Sequence, residues 1–159
     1  MSKEIPLTKG KIAIVDDEDY DRVSAFKWFA HLKKNTCYAA RNDRAHHKVW
    51  MHRFITDAPD GVQVDHRDRD GLNNRRQNLR LATHAQNQHN IPPQSNNKSG
   101  YKGVYQRSSG RWGAWIRGEW LGTFLDARSA ALAHDVRARE LYGEFAWLNF
   151  PNEAIHEQE

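Results

Sequence analysis

An acid–histidine pair followed by two asparagines stands out within residues 62–90. Asp65 and His66 are adjacent, and Asn78 and Asn87 follow along the same segment. Hydrolysis of a phosphodiester needs a water that loses its proton near neutral pH, and a cation that absorbs the charge growing on the phosphate. Histidine suits the first task, and oxygen ligands suit Mg²⁺ for the second. The segment therefore predicts a hydrolytic centre.

A strand, loop, strand and helix pattern is expected to position these residues. Val62 and Val64 lead into a strand that ends on Asp65 and His66, and residues 78–83 predict a returning strand. Thr83 stands three residues before Gln86, which is capping-box spacing, so a helix is expected to begin at Thr83. Adjacent strand residues point to opposite faces, so the acid and the histidine can share a site only where the strand ends or twists.

Residues 62–90 resemble the ββα-metal motif of HNH homing endonucleases from phage and bacterial genomes. The resemblance implies that His66 is the general base and that Asn78 orients it. It also implies that Asp65 and Asn87 bind a divalent metal. The intervals from His66 to the two asparagines, twelve and twenty-one positions, match the family. Asn87 replaces a histidine of the family's name, and its neutral oxygen favours Mg²⁺, or else Mn²⁺, over Zn²⁺.

Other polar residues near the motif have more ordinary interpretations. His89 is a rival metal ligand, but two positions beyond Asn87 on a helix it is expected to face elsewhere. His52 follows two large apolar side chains and is expected to be structural or to contact a phosphate. The acidic run at 16–21 lacks the EF-hand arrangement and predicts a helix start. Five arginines predict either a solvated surface or contacts to a nucleic-acid backbone: Arg67, Arg69, Arg75, Arg76 and Arg80.

The predicted fold class is α+β, with two domains. Two prolines and a run of polar residues predict a linker at 92–99. Residues 1–91 form the first domain, the nuclease domain implied by the resemblance, with the ββα-metal core at about 62–90. Its upstream part is expected to contain small strands, because short stretches are rich in β-branched and aromatic residues: 11–15, 27–33, 37–42 and 48–54.

Residues 100–151 predict a three-stranded antiparallel sheet packed on one helix, followed by a tail at 152–159. The strands are expected at 101–106, 111–117 and 120–124, with a tight turn at Gly118. A helix is expected to begin at Asp126 as N-cap and to end at Gly143. Alternation along the middle strand places Trp112, Ala114 and Ile116 on the core face and turns Trp115 outward.

The outward face of that sheet combines cations with aromatic side chains, as expected of a surface that enters a nucleic-acid groove. Residues 98–117 include five basic residues and no acidic one. Through "YKGVY", "WLGTF", "ALAHD" and "LNFP", residues 100–151 resemble the plant ethylene-response-factor type of DNA-binding domain. The resemblance implies a sheet in the major groove. The DNA-binding residues predicted from the outward face and the resemblance are Lys102, Tyr105, Arg107, Arg111, Trp115, Arg117 and Trp120.

Composition agrees with a nucleic-acid partner. The net charge is +4 and the isoelectric point is about 9.3. Cys37 is the single cysteine, which excludes an internal disulfide and a cysteine-based zinc site. The sequence has neither an apolar run of membrane-spanning length nor a signal peptide, so we expect a soluble cytoplasmic protein without a membrane partner.

The function predicted is site-selective cleavage of double-stranded DNA, by nicking or by cutting both strands. The alternative is a non-catalytic DNA binder or transcriptional regulator whose nuclease motif is inactive. An RNA-directed nuclease is disfavoured, because a sheet shaped for the major groove suits B-form DNA. No protein partner is predicted; two linked DNA-contacting units make a monomer sufficient, and a dimer stays open.

Overall fold

The computed structural model describes residues 1–33 and 36–153, and these residues mix helices and strands in several small sheets. The α+β class predicted from the sequence is therefore confirmed. The chain divides into two compact units, which we call the first unit (Met1–Asn87) and the second unit (Gln88 onward). Residues 154–159, most of the predicted tail, lie outside the described residues.

The first unit begins with an antiparallel hairpin and a short helix, followed by a three-stranded sheet. The hairpin consists of β1 (Ser2–Pro6), which the sequence did not predict, and β2 (Ile12–Asp16), with a 3-10 turn at Thr8–Gly10 between them. Helix α1 (Asp17–Ser24) follows Asp16. The sheet has the order β3 (Phe29–Lys33), β4 (Thr36–Asn42) and β5 (Lys48–Trp50), with antiparallel pairing throughout.

The predicted strand at 48–54 is wrong in its second half, where helix α2 (Met51–Thr56) forms instead. A short apolar run carries too little periodicity to separate a buried helix from a strand. The helix buries Met51 and Ile55 completely, four positions apart on one face. They join the core of the first unit with Val15, Val23 and Trp28.

A second hairpin in the first unit presents the acid–histidine pair. Strand β6 (Gln63–His66) pairs antiparallel with β7 (Leu79–Ala82), and helix α3 (His84–His89) follows. The strand, strand and helix lie where the sequence pattern predicts them. A 3-10 turn at Arg76–Asn78 closes the loop between the strands.

The second unit is a three-stranded antiparallel sheet packed on one long helix. Strand β9 (Trp112–Ile116) lies between β8 (Val104–Gln106) and β10 (Glu119–Phe124). Arg117 and Gly118 join the last two strands, both with positive φ, as in the hairpin turn whose twist matches the strands. Helix α4 (Ala127–Tyr142) begins as predicted, because Asp126 Oδ1 accepts from Ser129 N at 2.8 Å, and it ends at Gly143.

Small side chains let α4 lie close against this sheet. Ala130 and Ala131 are completely buried with Ala114 of β9. The predicted linker, 92–99, contains no helix or strand, and all of it lies in the second unit. Ser99 Oγ donates to Val104 O at 2.7 Å, which fixes the approach to the sheet. No helix in the described part of the chain is both long and apolar enough to cross a membrane.

Candidate functional site

Asp65 lies in a buried ion pair with the facing strand. Register pairs Asp65 with Arg80 across β6 and β7, and both residues are at least nine-tenths buried. The guanidinium donates to Asp65 Oδ2 from Nε at 2.8 Å and from Nη2 at 2.5 Å. These two charge-assisted hydrogen bonds fix the orientation of the carboxylate.

His66 ends β6 and is held by an asparagine from the following loop. Its Nε2 lies 3.4 Å from Asn74 Oδ1. The Asn74 amide is fixed, because its Nδ2 donates to Leu72 O at 3.1 Å and to Gly71 O at 3.5 Å. Asn74 Oδ1 can only accept, so the neutral imidazole carries its proton on Nε2 and its lone pair on Nδ1.

The surroundings of His66 favour the neutral ring. Burial lowers the pKa of His66 below its ordinary value of 6.5, against the opposing effects of Asn74 and of nearby acids. Two further aromatic rings lie beside it: that of His52 at a centroid distance of 5.1 Å and that of Tyr38 at 5.8 Å. A buried neutral imidazole is a proton acceptor at neutral pH.

Asn78 organises the loop that follows His66. Its side chain accepts from Asp68 N at 3.1 Å and donates to Asp68 Oδ1 at 2.9 Å and to Asn73 O at 2.8 Å. Its backbone carbonyl accepts from Arg67 N at 2.9 Å. Burial acts to raise the pKa of Asp68, but hydrogen bonds from Asn73, Asp70 N and Asn78 bring it below the ordinary value. Asn78 thus fixes the backbone beside the histidine.

Asn87 is placed by a helix start that the sequence predicted. Thr83 N donates to Gln86 Oε1 at 2.8 Å, and Gln86 N donates to Thr83 Oγ1 at 3.2 Å, which is a complete capping box. In the first turn, Asn87 Nδ2 donates to Gln63 Oε1 at 2.7 Å. This bond uses the amide nitrogen, and Asn87 Oδ1 has no hydrogen-bond partner among the described residues.

Asn87 lines a cavity of about 270 Å³ in the first unit, whose lining does not include Asp65. Gln63 and His52 also line it. By chemical type, the oxygen atoms of the predicted ligands Asp65 and Asn87 suit a hard cation. One carboxylate and one amide oxygen are ligands that Mg²⁺ accepts when water and substrate oxygens complete its shell. Soft ligands are absent from the pair, since Asp65 and Asn87 offer only oxygen. The structure thus keeps the predicted ligands on neighbouring elements, β6 and α3.

The two rival cation sites are occupied by other contacts. His89 stacks on Tyr142 in the second unit, with ring centroids 3.8 Å apart and an interplanar angle of 12°. The acidic groups of Asp16, Glu18 and Asp19 lie within 4.8 Å of one another. Arg76 fills that cluster, with its backbone N 2.7 Å from Asp16 and its guanidinium 2.7 Å from Asp19.

The second unit brings four of its predicted DNA-binding residues together. Trp115 Nε1 donates to the Tyr105 hydroxyl at 3.0 Å, and the rings of Trp115 and Trp120 lie 5.4 Å apart. Arg107 lies over Trp120 at 5.3 Å. Trp115 is 40% exposed and Trp120 39% exposed, which is high for such large rings. A Cβ on Gly113 would lie 2.8 Å from both Tyr105 and Trp120, so a glycine is needed beneath them.

The other three predicted DNA-binding residues lie apart from this aromatic cluster. Lys102 Nζ donates to Ile91 O at 2.7 Å and to His89 O at 3.2 Å, so this lysine secures the start of the second unit. Arg111 is exposed beside the β8–β9 turn, and Arg117 is exposed in the β9–β10 turn. The two arginines therefore lie at the ends of the strands, and the lysine lies against the start of the second unit.

Sequence reasoning missed Asn74 and Arg80 as parts of the site, and it left His52 without a definite role. The signal for Arg80 was the register: once His66 is paired with Leu79, Arg80 must face Asp65. Asn74 had no such signal, because its contact with His66 depends on the loop conformation. His52 lies beside His66 through packing between α2 and β6, which no sequence spacing reports.

Comparison with known proteins finds an endonuclease family model and several relatives. Residues 43–89 match the HNH endonuclease family model. An HNH endonuclease of Acanthamoeba polyphaga mimivirus is 34% identical over 151 residues, which cover 89% of this chain and 76% of that protein. No solved structure matches at a significant level.

Plant proteins match a shorter stretch. A dehydration-responsive element-binding protein of Arabidopsis thaliana is 54% identical over 57 residues, which cover 32% of this chain and 28% of the plant protein. A related protein of Oryza sativa is 50% identical over 58 residues, which cover 33% of this chain and 18% of its own length. The chain therefore spans less than a third of each plant relative.

Proposed function

This chain belongs to the HNH endonuclease family, and from that premise we propose that it is a metal-dependent, site-selective endonuclease of the homing kind. Its substrate is double-stranded DNA inside a cell. The observation that carries the proposal is the hydrogen bond of His66 Nε2 to Asn74 Oδ1, which leaves the lone pair of a neutral imidazole on Nδ1. A general base needs that state at neutral pH.

The residues of the site take the following roles in the proposal. His66 Nδ1 accepts the proton of the attacking water. Asp65, oriented by Arg80, and Asn87, oriented by Gln63, hold Mg²⁺ or Mn²⁺ through oxygen atoms. A bound divalent cation supplies charge stabilisation for the phosphorane and the leaving oxygen.

Asn78 acts on the base through the backbone, in this proposal. Its bonds to the loop at Asp68 and Asn73 hold the chain that follows His66 in one conformation. Asn74 lies in the same loop, so a fixed loop keeps the imidazole tautomer fixed. Asn78 and His66 therefore form the catalytic pair, one by position and one by proton transfer.

In this proposal, residues 100–151 of the second unit, the predicted sheet-and-helix domain, bind DNA and recognise its sequence. The aromatic cluster of Tyr105, Trp115 and Trp120, with Arg107, presents exposed rings and a cation on one sheet. The plant relatives are named for binding a response element, and the ethylene-response-factor resemblance assigns that task to a three-stranded sheet. Arg111 and Arg117 add phosphate contacts at the sheet ends.

A plasmid assay tests the proposal. Supercoiled DNA is incubated with the full chain in Mg²⁺ and, separately, in EDTA, and the cut positions are mapped. We expect nicked or linear DNA in Mg²⁺ alone, with cuts at one or a few positions. Cuts spread evenly along the plasmid would contradict site selectivity, and the assignment as a nuclease would stand.

A homing role adds a second expectation, that the preferred site lies in a copy of the host locus lacking this gene. Insertion of the gene should destroy that site. Repair of the cut then copies the gene only into loci that lack it. The comparison uses two plasmids that differ only in the insertion. Equal cutting of both plasmids would refute the homing role, and the assignment as an endonuclease would stand.

A non-catalytic DNA binder is the second candidate, and the buried Asp65–Arg80 ion pair favours it. If the guanidinium fully satisfied the carboxylate, the metal would lose its anionic ligand. The same plasmid assay separates the two functions. Intact DNA in Mg²⁺ together with tight binding by gel shift would move the assignment to the binder.

A further inference from the structure

One face of the β3–β4–β5 sheet in the first unit carries lysines and aromatic rings that the proposed chemistry does not use. Register pairs His31 with Tyr38 and Ala40 with Trp50, and it pairs Asn42 with Lys48. Because alternate residues of a strand share a face, five side chains lie on the same side. We call the surface formed by His31, Lys33, Tyr38, Lys48 and Trp50 the lysine face.

The cations of the lysine face are held over aromatic rings. Lys33 Nζ lies 5.3 Å from the ring centroid of Tyr38 and 5.8 Å from that of Trp50. Lys48 Nζ lies 5.3 Å from the ring centroid of Trp50, on the same indole. Both lysines are exposed, so their ammonium groups remain available to an anion in solvent.

These lysines are not neutralised by acidic partners. Within residues 1–33 and 36–153, neither Lys33 nor Lys48 lies within 4.0 Å of a carboxylate oxygen, whereas Lys3 and Arg22 of the same unit are paired at 2.7 and 3.1 Å. The local field is positive: burial, then Lys48, Lys33 and Lys9, lower the pKa of His31. The face therefore attracts anions.

The lysine face continues into the proposed catalytic site. The Tyr38 ring lies 5.8 Å from the His66 ring, and the Trp50 ring stacks with that of His52 at 6.1 Å and 16°. Lys33 and Trp50 also line the cavity of about 270 Å³ that Asn87 borders. An anionic polymer on this face would therefore reach the residues that we assign to cleavage.

We propose that the lysine face binds the sugar-phosphate backbone of double-stranded DNA beside the scissile phosphodiester, an inference that rests on the proposed nuclease function. Lys33 and Lys48 contact successive phosphates as point charges. Trp50 and Tyr38, over whose rings the ammonium groups lie, position the two lysines. The first unit thus holds the strand that it cuts, independently of the sheet of the second unit.

Salt dependence of binding tests the lysine face without any need for cleavage. The full chain is kept in EDTA, and its binding to a labelled DNA duplex is measured by fluorescence anisotropy between about 50 and about 200 mM salt. Each phosphate contact contributes about 0.9 to the slope of log affinity against log salt. The double variant Lys33→Gln/Lys48→Gln should therefore lower the slope by about 2.

The control removes the same charge elsewhere in the first unit. Lys11→Gln/Lys27→Gln changes two exposed lysines outside β3, β4 and β5, and it should leave the slope unchanged. Far-UV circular dichroism and thermal melting confirm that both double variants are folded. An unchanged slope in Lys33→Gln/Lys48→Gln, or equal losses in both, would overturn the inference.

A tethered crosslinker tests the position of the DNA. Cys37 is the single cysteine, so Cys37→Ser gives a background for Asn42→Cys, a position on the lysine face beside Lys48 that keeps both lysines. We expect a photo-crosslinker at that position to react with DNA a few nucleotides from the Mg²⁺-dependent cut. Reaction no closer to the cut than from Lys27→Cys would contradict the placement.

The two proposals fail separately. If the wild type cuts DNA but Lys33→Gln/Lys48→Gln leaves the salt slope unchanged, the nuclease function stands and the DNA-binding role of the lysine face is refuted. If the wild type does not cut DNA but the salt slope is lower in Lys33→Gln/Lys48→Gln, the DNA-binding role of the lysine face stands and the nuclease function is refuted.

Discussion

Acid should destabilise the first unit through His52. The residue is buried, its Nδ1 has no hydrogen-bond partner among the described residues, and burial lowers its pKa from 6.5 to about 3. The folded chain therefore keeps this ring neutral at a pH where the unfolded chain protonates it. The contribution of neutral His52 to the free energy of unfolding is therefore full above pH 6.5, and it is lost as the pH drops from 6.5 toward about 3.

The size of the effect follows from that window. Each pH unit between the two pKa values contributes about 1.4 kcal/mol to the free energy of unfolding. At pH 5.0 the loss is about 2 kcal/mol, and across the whole window it approaches about 5 kcal/mol. This is a large share of the stability of a small domain.

His52→Phe isolates the contribution, because it keeps an aromatic ring beside Trp50 and Tyr38 but removes the titrating nitrogens. Native-state hydrogen exchange of amides in β4 and β6, corrected for intrinsic exchange at each pH, reports the first unit alone. Wild type should lose about 2 kcal/mol more than His52→Phe between pH 7.5 and 5.0. Equal losses in both chains would refute the linkage to His52.

Three further substitutions test other parts of the account. Asn74→Ala should slow single-turnover DNA cleavage about fivefold, since one neutral hydrogen bond to the base is worth about 1 kcal/mol. Gly71→Ala should destabilise the first unit by about 3 kcal/mol in thermal melts, because its Cβ would lie 2.4 Å from a backbone oxygen of β4. The control Gly61→Ala, whose Cβ would meet nothing within 4 Å, should destabilise it by about 1 kcal/mol. Trp115→Ala should weaken DNA binding about tenfold by anisotropy while the fold is retained, and Leu125→Ala, an exposed control, should not.

Local patterns in the sequence predicted the elements of the site well. The capping box at Thr83 and Gln86 depends on three-residue spacing, and the cap at Asp126 depends on one side chain and one backbone N–H. Such interactions are complete within one turn of helix, so the sequence contains all the partners. The strand that ends on His66 was predicted from the alternation of Val62 and Val64, which is also a local pattern.

Contacts between distant segments were not predictable in the same way. The ring packing of His52 and Tyr38 on His66 joins α2, β4 and β6, and it depends on how those elements pack. Helix α2 itself was taken for a strand because an apolar run of that length fits either structure. Lys102, which is predicted to contact DNA, also donates to the backbone carbonyls of His89 and Ile91, a contact that alternation along a strand cannot show.

The role of His66 as general base is tested by the single-turnover rate of DNA cleavage in Mg²⁺, measured for wild type, His66→Ala and the exposed control His46→Asn. We expect His66→Ala to bind DNA as wild type does but to cut it about 10²- to 10⁴-fold more slowly, which is the usual contribution of a general base. His46→Asn should cut at the wild-type rate. Cleavage by His66→Ala at the wild-type rate would contradict the assignment of the base and, with it, the proposed site.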